Sequence, residues 1–236
     1  SRIPISIDPR HRPGTHLRAS ARKAGPTMKT TSSGAALGSS PASAGGRLNG
    51  KDFINIGIFT AIYFVIVFAV ACLGFIPIFM VLICGIIPLV AGIPYMLYLT
   101  RVKKFGMITI MGLLVGIIMF VTGMGYFSIV TGLVCGLIAD LIVRAGGYAN
   151  AKMSVLSHGV FSCWMIGNFL PMLLTADSYY ATMRGQFGDA YVNELMGYLQ
   201  PWAYPAMLIA CFVTGIVGGF IGLKVLGKHF KRAGIA

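Results

Sequence analysis

The sequence predicts an all-α membrane protein, a bundle of six transmembrane helices. Three observations lead to this prediction. Hydrophobic residues make up 56% of the 236 residues and charged residues 11%, against roughly 25% charged in a soluble globular domain. The apolar residues form runs long enough to cross a bilayer, which takes about 20 residues in a helix. The basic residues lie between those runs or near the N-terminus, so the net charge of +13 indicates basic edges of a membrane protein and no nucleic-acid partner.

Composition divides the chain into residues 1–50 and residues 51–236. Residues 1–50 are rich in Ser, Ala, Gly, Pro and Arg, with Asp8 as their only acidic residue. Such a segment cannot bury enough surface to offset its chain entropy, so it is predicted to be disordered. Because the chain begins with Ser1 and Met28 offers a native start, we interpret it as a leader added for expression or a mis-assigned start. An organelle transit peptide is the alternative.

Six apolar segments follow in order, each read as one spanning helix of a single transmembrane domain. The second contains Pro88 and Pro94 and is expected to kink or break, since proline removes a backbone donor and clashes with the preceding turn. Residues 176–200 form a long outer connection, typical of a lid or binding loop or of a solvated loop at the membrane interface. The segments are Phe53–Leu73, Phe75–Leu99, Phe105–Gly123, Tyr126–Val143, Val155–Thr175 and Pro201–Leu226.

The positions of the basic residues support this count and predict the orientation. If both termini are cytosolic, the cytosolic segments hold eleven Lys and Arg residues and the outer segments hold only Arg184. Such an asymmetry follows the positive-inside rule, and a miscounted helix would destroy it. The N and C termini are therefore predicted to be cytosolic. The eleven residues are Arg47, Lys51, Arg101, Lys103, Lys104, Arg144, Lys152, Lys224, Lys228, Lys231 and Arg232.

The membrane domain offers few groups for chemistry, so we predict no enzymatic activity, no metal site and no cofactor. Two ionisable residues lie well inside the predicted helices, Asp140 and His158. Asp140 lies one turn before Arg144, and an i, i+4 ion pair explains it. His158 stands alone and is interpreted as a hydrogen-bonded structural residue. The five cysteines lie in apolar segments without a C-x-x-C pair and are interpreted as buried small hydrophobic residues.

Pairs of small residues four positions apart recur in the predicted helices, where they let two helix backbones approach closely in lipid. Gly57 and Ala61 form such a pair in the first helix. Packing inside the bundle explains any single pair, but pairs on both the first and the last helix suggest that one faces another subunit. The other pairs are Gly112 with Gly116, Gly132 with Gly136, Gly215 with Gly219, and Gly218 with Gly222.

The fifth segment carries a stripe that is either bundle core or one wall of an outward-facing pocket. At 100° per residue, His158, Met165 and Asn168 fall on one narrow arc. Asn168 lies in the outer half, and a buried amide in lipid needs a partner, either a neighbouring helix or a ligand. The candidate substrate-binding residues are Tyr126, Trp164, Asn168, Tyr179, Tyr180, Arg184 and Trp202.

Four separated stretches of the chain carry a family resemblance. They are Asp52–Leu73 (DFINIGIFTAIYFVIVFAVACL), Leu99–Gly112 (LTRVKKFGMITIMG), Gly132–Val143 (GLVCGLIADLIV) and His229–Ala236 (HFKRAGIA). Together they resemble the Trep_Strep family of membrane proteins, which we identify with substrate-binding S components of energy-coupling factor (ECF) transporters. The likeness covers nearly all of residues 51–236 and none of the leader.

The resemblance implies an S component with six helices in a prokaryotic cytoplasmic membrane, surrounded by lipid. Such a protein binds a micronutrient from outside and docks on a transmembrane T component that carries two ATPases. Docking in the family uses a small-x-x-x-small motif on the first helix, usually two alanines, and Gly57 and Ala61 occupy the matching positions. The ligand, vitamin-like or a tetrapyrrole, would bind near the outer side of the later helices, under residues 176–200.

Two other classes of function stay open from the residues alone. An autonomous small-molecule carrier or channel needs a polar path through the bilayer, for which Asp140, His158 and Asn168 are the candidates. An intramembrane enzyme needs a catalytic pair, but the sequence contains neither an H-E-x-x-H nor a G-x-S-x-G motif. Flux through liposomes that hold this chain alone would favour the carrier.

Overall fold

The computed structural model describes residues 46–232, with side chains up to residue 227, and the regular elements in that range are all helices. Most of the predicted disordered leader, residues 1–45, lies outside the described residues, as do residues 233–236. The elements are α1 (Gly50–Ala71), a 3-10 turn (Cys72–Phe75), α2 (Pro77–Leu99), α3 (Met107–Val121), α4 (Phe127–Ala145), α5 (Ala151–Ser162), a 3-10 helix (Cys163–Asn168), α6 (Leu170–Leu174), α7 (Ala176–Phe187), α8 (Asp189–Tyr198) and α9 (Ala203–Arg232).

The predicted helical membrane domain is confirmed in its coarse form. By length and composition, 4 helices could cross a membrane, and they correspond to the first, second, fourth and sixth predicted segments. The third corresponds to α3, which is apolar but has only 15 residues. The count of six crossings and the cytosolic position of the termini stay predictions.

The fifth predicted segment is not one continuous helix. It is divided into α5, the 3-10 helix and α6, with Pro171 in the first turn of α6. Proline fits a first turn because that position needs no backbone donor. At the break, the Thr131 hydroxyl of α4 donates to the Trp164 carbonyl over 3.0 Å. This bond ties the irregular backbone of the fifth segment to the neighbouring helix α4.

Of the predicted kink or break in α2, the break is wrong, since the helix runs through Pro88 and Pro94; the kink stays a prediction. Pro88 has no N–H, so the carbonyl of Cys84, four residues earlier, loses its usual donor. The Cys211 thiol of α9 lies 3.1 Å from that carbonyl and donates to it. The neighbouring helix α9 therefore supplies a hydrogen-bond donor in place of the backbone N–H that proline lacks, as is common in membrane helices.

Residues 176–200, predicted to be a loop, fold into α7 and α8. Gly188, at φ 83°, separates the two helices in the left-handed region that glycine adopts easily. Arg184 at the end of α7 pairs with Asp189 at 2.7 Å and with the Asn193 amide oxygen at 2.8 Å, both on α8. Helical structure satisfies the backbone of this segment beside an apolar bundle better than an irregular loop would.

Most of the predicted small-residue pairs are contacts inside the bundle. A Cβ on Gly112 of α3 would lie 2.3 Å from the Gly132 carbonyl oxygen of α4. In the same way, a Cβ on Gly92 of α2 would lie 2.1 Å from the Gly218 carbonyl oxygen of α9. Gly57 differs, because a Cβ there would meet no atom within 4 Å. The glycines of α3, α4 and α9 are thus used within the chain, and the small residues of α1 are not.

Asp140 does not pair with Arg144, which corrects the sequence prediction. Its Oδ2 accepts the N–H groups of Gly106 at 2.7 Å and Thr109 at 3.2 Å, and the Thr109 hydroxyl at 3.0 Å. The first N–H groups of a helix have no partner within it, so a buried carboxylate at this position caps α3 and complements its dipole. Arg144 lies over the Phe105 ring, 5.3 Å from its centroid.

Replacing Asp140 by alanine is expected to lower the free energy of unfolding by about 2 kcal/mol, because two backbone donors at the start of α3 lose a charged acceptor. Asp140→Asn keeps one acceptor oxygen and should lower the free energy of unfolding by about half as much. Thermal unfolding of the purified protein in detergent measures both variants. Identical melting curves for Asp140→Ala and the parent protein would contradict the capping role.

His158 is hydrogen-bonded through one ring nitrogen, as predicted, and its buried Nε2 has no hydrogen-bond partner among the described residues. Its Nδ1 lies 2.6 Å from the Gly215 carbonyl oxygen, joining α5 to α9. Its ring lies 4.8 Å from that of Tyr95, whose hydroxyl is 2.8 Å from the Ser157 hydroxyl. These contacts place His158 among packing groups of the bundle.

Candidate functional site

A cavity of about 360 Å³ lies at one end of the helical bundle. Its walls come from the last turns of α1, the 3-10 turn, the start of α2, the end of α3, the second 3-10 helix and α7. The basic segments near Lys51, Lys104 and Arg144 belong to the opposite helix ends. The cavity therefore lies at the end that the charge pattern predicts to be extracellular.

Thioethers and aromatic rings dominate the wall of this ligand cavity. Methionine is flexible and polarisable, adapts to ligand shape and contacts aromatic rings favourably. None of the described lining residues carries a formal charge at neutral pH. Such a wall suits an uncharged, mostly apolar compound, because a buried charge without a partner is costly. The five lining methionines come from five different segments and are Met80, Met119, Met124, Met165 and Met183.

Asn168 is the most buried polar side chain in the cavity wall, with 6% of its surface exposed. Its Oδ1 accepts the Ser128 hydroxyl at 2.6 Å, which fixes the orientation of the amide. Its Nδ2 makes one contact, 4.0 Å from the Met165 sulfur, a weak acceptor. The amide N–H groups therefore keep capacity to donate to a ligand.

Aromatic residues of α7 and α8 hold this helix pair beside the cavity, against the 3-10 turn after α1. The Tyr191 hydroxyl donates to the Gly74 carbonyl oxygen in the 3-10 turn after α1. The Phe187 ring stacks on Tyr191 at 4.9 Å and contacts the Phe75 ring at 6.2 Å. Burial raises the pKa of Tyr179 and of Tyr191, with a smaller contribution from a neighbouring tyrosine in each case. Both hydroxyls are thus neutral at physiological pH, in keeping with the uncharged wall.

The structure brings two of the seven predicted binding residues to the cavity, Asn168 and Tyr179. Trp164 lies behind the wall, fully buried, and its indole N–H donates to the Tyr63 hydroxyl over 3.1 Å. Arg184 is engaged with α8. Trp164 and Arg184 therefore support the cavity wall and the α7–α8 pair without lining the cavity.

The other three predicted binding residues also lie away from the cavity lining. Tyr180 is buried, with 7% of its surface exposed. Tyr126 and Trp202 are 57% and 70% exposed, as is common for aromatic residues at a membrane interface. Among the residues that the structure describes, these three do not line the cavity.

Sequence reasoning placed Met165 on the pocket stripe but missed the other four lining methionines, Tyr191 and Cys72. A usable signal for these lining residues was their depth near the predicted outer ends of segments two and three, where Met80, Met119 and Met124 lie. Of the five cysteines predicted to be buried, Cys84 and Cys211 are buried and Cys135 and Cys163 are half-buried, whereas Cys72 is exposed and lines the cavity. Nothing in the local sequence indicates the Tyr191 contact, which joins residues 117 positions apart.

The fold and the cavity define an integral membrane protein with several transmembrane helices. Residues 50–232 match the family model described as hypothetical bacterial integral membrane protein (Trep_Strep). The chain belongs to this family, so the resemblance to the Trep_Strep family is confirmed, and the identification with S components stays a prediction. No curated protein and no solved structure matches the chain.

Proposed function

We propose that this protein is the substrate-binding S component of an ECF-type importer in the bacterial cytoplasmic membrane. It captures an uncharged micronutrient from outside and delivers it with a T component and two ATPases, without enzymatic activity of its own. The observation that carries the proposal is the uncharged 360 Å³ cavity at the predicted outer end of the bundle. A cavity of this size can hold one small molecule.

The wall of the cavity favours a vitamin-like heterocycle over a tetrapyrrole. A tetrapyrrole with ionised carboxylates needs cationic partners, and the described lining residues include no Lys, Arg or His. Burying an unpaired carboxylate costs several kcal/mol, even after the protein relaxes. A planar neutral ring would contact thioether and aromatic side chains and receive a hydrogen bond from Asn168.

The exposed face of α1 supports docking on a T component. Gly57 faces open space and Ala61 is exposed, so two small residues form a shallow groove along the helix. Ile54 and Ile58 beside them are 62% and 53% exposed. Small residues let a second helix approach closely in lipid, where packing drives association. This surface fits a transmembrane helix of a partner protein, as docking on a T component requires.

Uptake assays test the proposal directly. Mass spectrometry of compounds that co-purify with the full chain identifies the ligand, and its radiolabelled form is then followed into proteoliposomes. We expect uptake when the T component and ATPases are present with ATP, and none with this chain alone. ATP-independent flux through the chain alone would overturn the proposal and establish an autonomous carrier.

Replacing Asn168 by alanine is expected to weaken binding of the co-purified ligand by about tenfold, because a hydrogen-bond donor is lost from a preformed cavity. Asn55→Ala removes the same amide from α1 outside the cavity lining and serves as the matched control, with unchanged affinity. Equilibrium binding to the purified proteins measures both. Equal affinities for Asn168→Ala and Asn55→Ala would remove Asn168 from the binding site.

A further inference from the structure

A second pocket, of about 520 Å³, lies where the start of α1, the segment before α3 and the end of α4 meet. Its charged lining residues are Arg47 and Arg144, and it includes no acidic residue. We name it the basic pocket. It lies at the end of the bundle that carries the predicted cytosolic charges, opposite the ligand cavity. Its other lining residues are Gly46, Leu48, Phe105, Gly147 and Tyr148.

The carboxylates near the basic pocket are occupied by other groups. Asp52 accepts from the Lys104 ammonium at 2.8 Å, and Asp140 caps α3. Within residues 46–227, neither Arg47 nor Arg144 forms an ion pair. Two arginines therefore line one pocket that contains no acidic residue, an arrangement that attracts an anion.

The shape of the basic pocket is held by specific contacts. The Arg144 guanidinium lies over the Phe105 ring, a cation–π contact that limits its orientations. Tyr148 has φ 59°, which is costly for a residue with a side chain. The Tyr148 N–H donates to the Val143 carbonyl at 3.1 Å and holds the turn against α4. The turn thereby keeps the Tyr148 side chain in the pocket wall.

We propose that the basic pocket binds the phosphate group of an anionic phospholipid of the cytosolic leaflet. The guanidinium fork matches phosphate oxygens and donates two hydrogen bonds at once. Basic pockets beside helix ends on the cytosolic side are suited to lipid head groups. Phe105 and Leu141, 39% and 47% exposed, offer apolar surface for an acyl chain beside the phosphate. An acidic protein segment would not need that surface.

Native mass spectrometry of the full chain tests the proposal, with phosphatidylglycerol as the anionic probe and phosphatidylcholine as the zwitterionic one. We expect phosphatidylglycerol to be retained and phosphatidylcholine to be lost at the same activation energy. Arg47→Gln with Arg144→Gln should weaken phosphatidylglycerol binding by about twenty-five-fold, since each basic residue near an anionic lipid contributes about fivefold.

The double variant Arg101→Gln with Lys103→Gln is the matched control. It removes two exposed charges from the same end of the bundle but outside the basic pocket, and it should weaken retention by about twofold. Equal loss in both double variants would overturn the proposal, because a diffuse charge field would then explain retention. Thermal melting of each variant checks that a loss of lipid does not reflect unfolding.

Two further measurements separate the lipid from other anions. Glycerol 3-phosphate and inorganic phosphate, at concentrations above that of the lipid, are expected to raise the melting temperature less than phosphatidylglycerol does. A soluble phosphate that protects fully would overturn the lipid assignment in favour of a free phosphate. Unchanged lipid retention together with loss of T-component or ATPase co-purification in Arg47→Gln with Arg144→Gln would assign the pocket to a protein partner.

Discussion

Replacing Ala71 by tryptophan is expected to abolish ligand capture, with a loss of affinity of at least about a hundredfold. Ala71 lies at the end of α1 in the wall of the ligand cavity. An indole at this position would occupy empty space that the ligand needs, and the cavity can receive it without displacing a helix. Binding of the co-purified compound and the thermal melting curve are the two measurements.

Ala61→Trp provides the matched control, because the same side chain is added to the exposed surface of the same helix. This variant should bind the ligand as the parent protein does but fail to co-purify with the T component. Ala71→Trp should show the reverse, with normal assembly and no ligand. If both variants lose the ligand equally, the loss reflects damage to α1, and the cavity assignment fails.

Replacing Gly92 by leucine is expected to prevent folding to a single species. An added Cβ would overlap the backbone of α9, and backbone cannot move aside as the end of a flexible side chain can. Separating α2 from α9 breaks a long interface of closely packed backbones, with an expected cost above about 4 kcal/mol. Size-exclusion chromatography in detergent tests this prediction, and misfolding is expected to appear as aggregation or as absence of the monomer peak.

Gly57→Leu is the control for this effect, since the same change meets open space on α1. It should elute as the parent protein does, bind ligand normally and lose only the assembly with the T component. A folded, monodisperse Gly92→Leu protein would contradict the close packing of α2 on α9. Normal co-purification of Gly57→Leu with the T component would refute docking through α1.

The sequence allowed the helical membrane class to be predicted because that class depends on local quantities. The lengths of apolar runs and the low fraction of charged residues are sufficient for it, and α1, α2, α4 and α9 begin and end close to the predicted segments. The fifth segment was harder, since its hydropathy is continuous while its backbone changes to a 3-10 helix at Cys163. Hydropathy responds to composition and carries no signal for such a break.

Some residues of the ligand cavity could also be predicted from the sequence. Asn168 and Tyr179 were predicted because a polar or amphipathic side chain near the outer end of an apolar bundle needs a partner. Trp164 was assigned to the pocket by the same argument, but its indole points to Tyr63 of α1. A residue's position along its helix estimates its depth in the membrane, whereas its direction depends on which helix lies beside it.

The sequence by itself determined that the chain is a helical membrane protein, which residues carry its few charges, and where small residues permit close packing. Only the tertiary structure decided that Gly92 meets Gly218, that Asp140 caps α3, and that five methionines from separate segments share one cavity. The physical reason is that the bilayer acts on each segment separately through hydropathy. Contacts between segments depend instead on how side chains and backbones fit after the helices have come together.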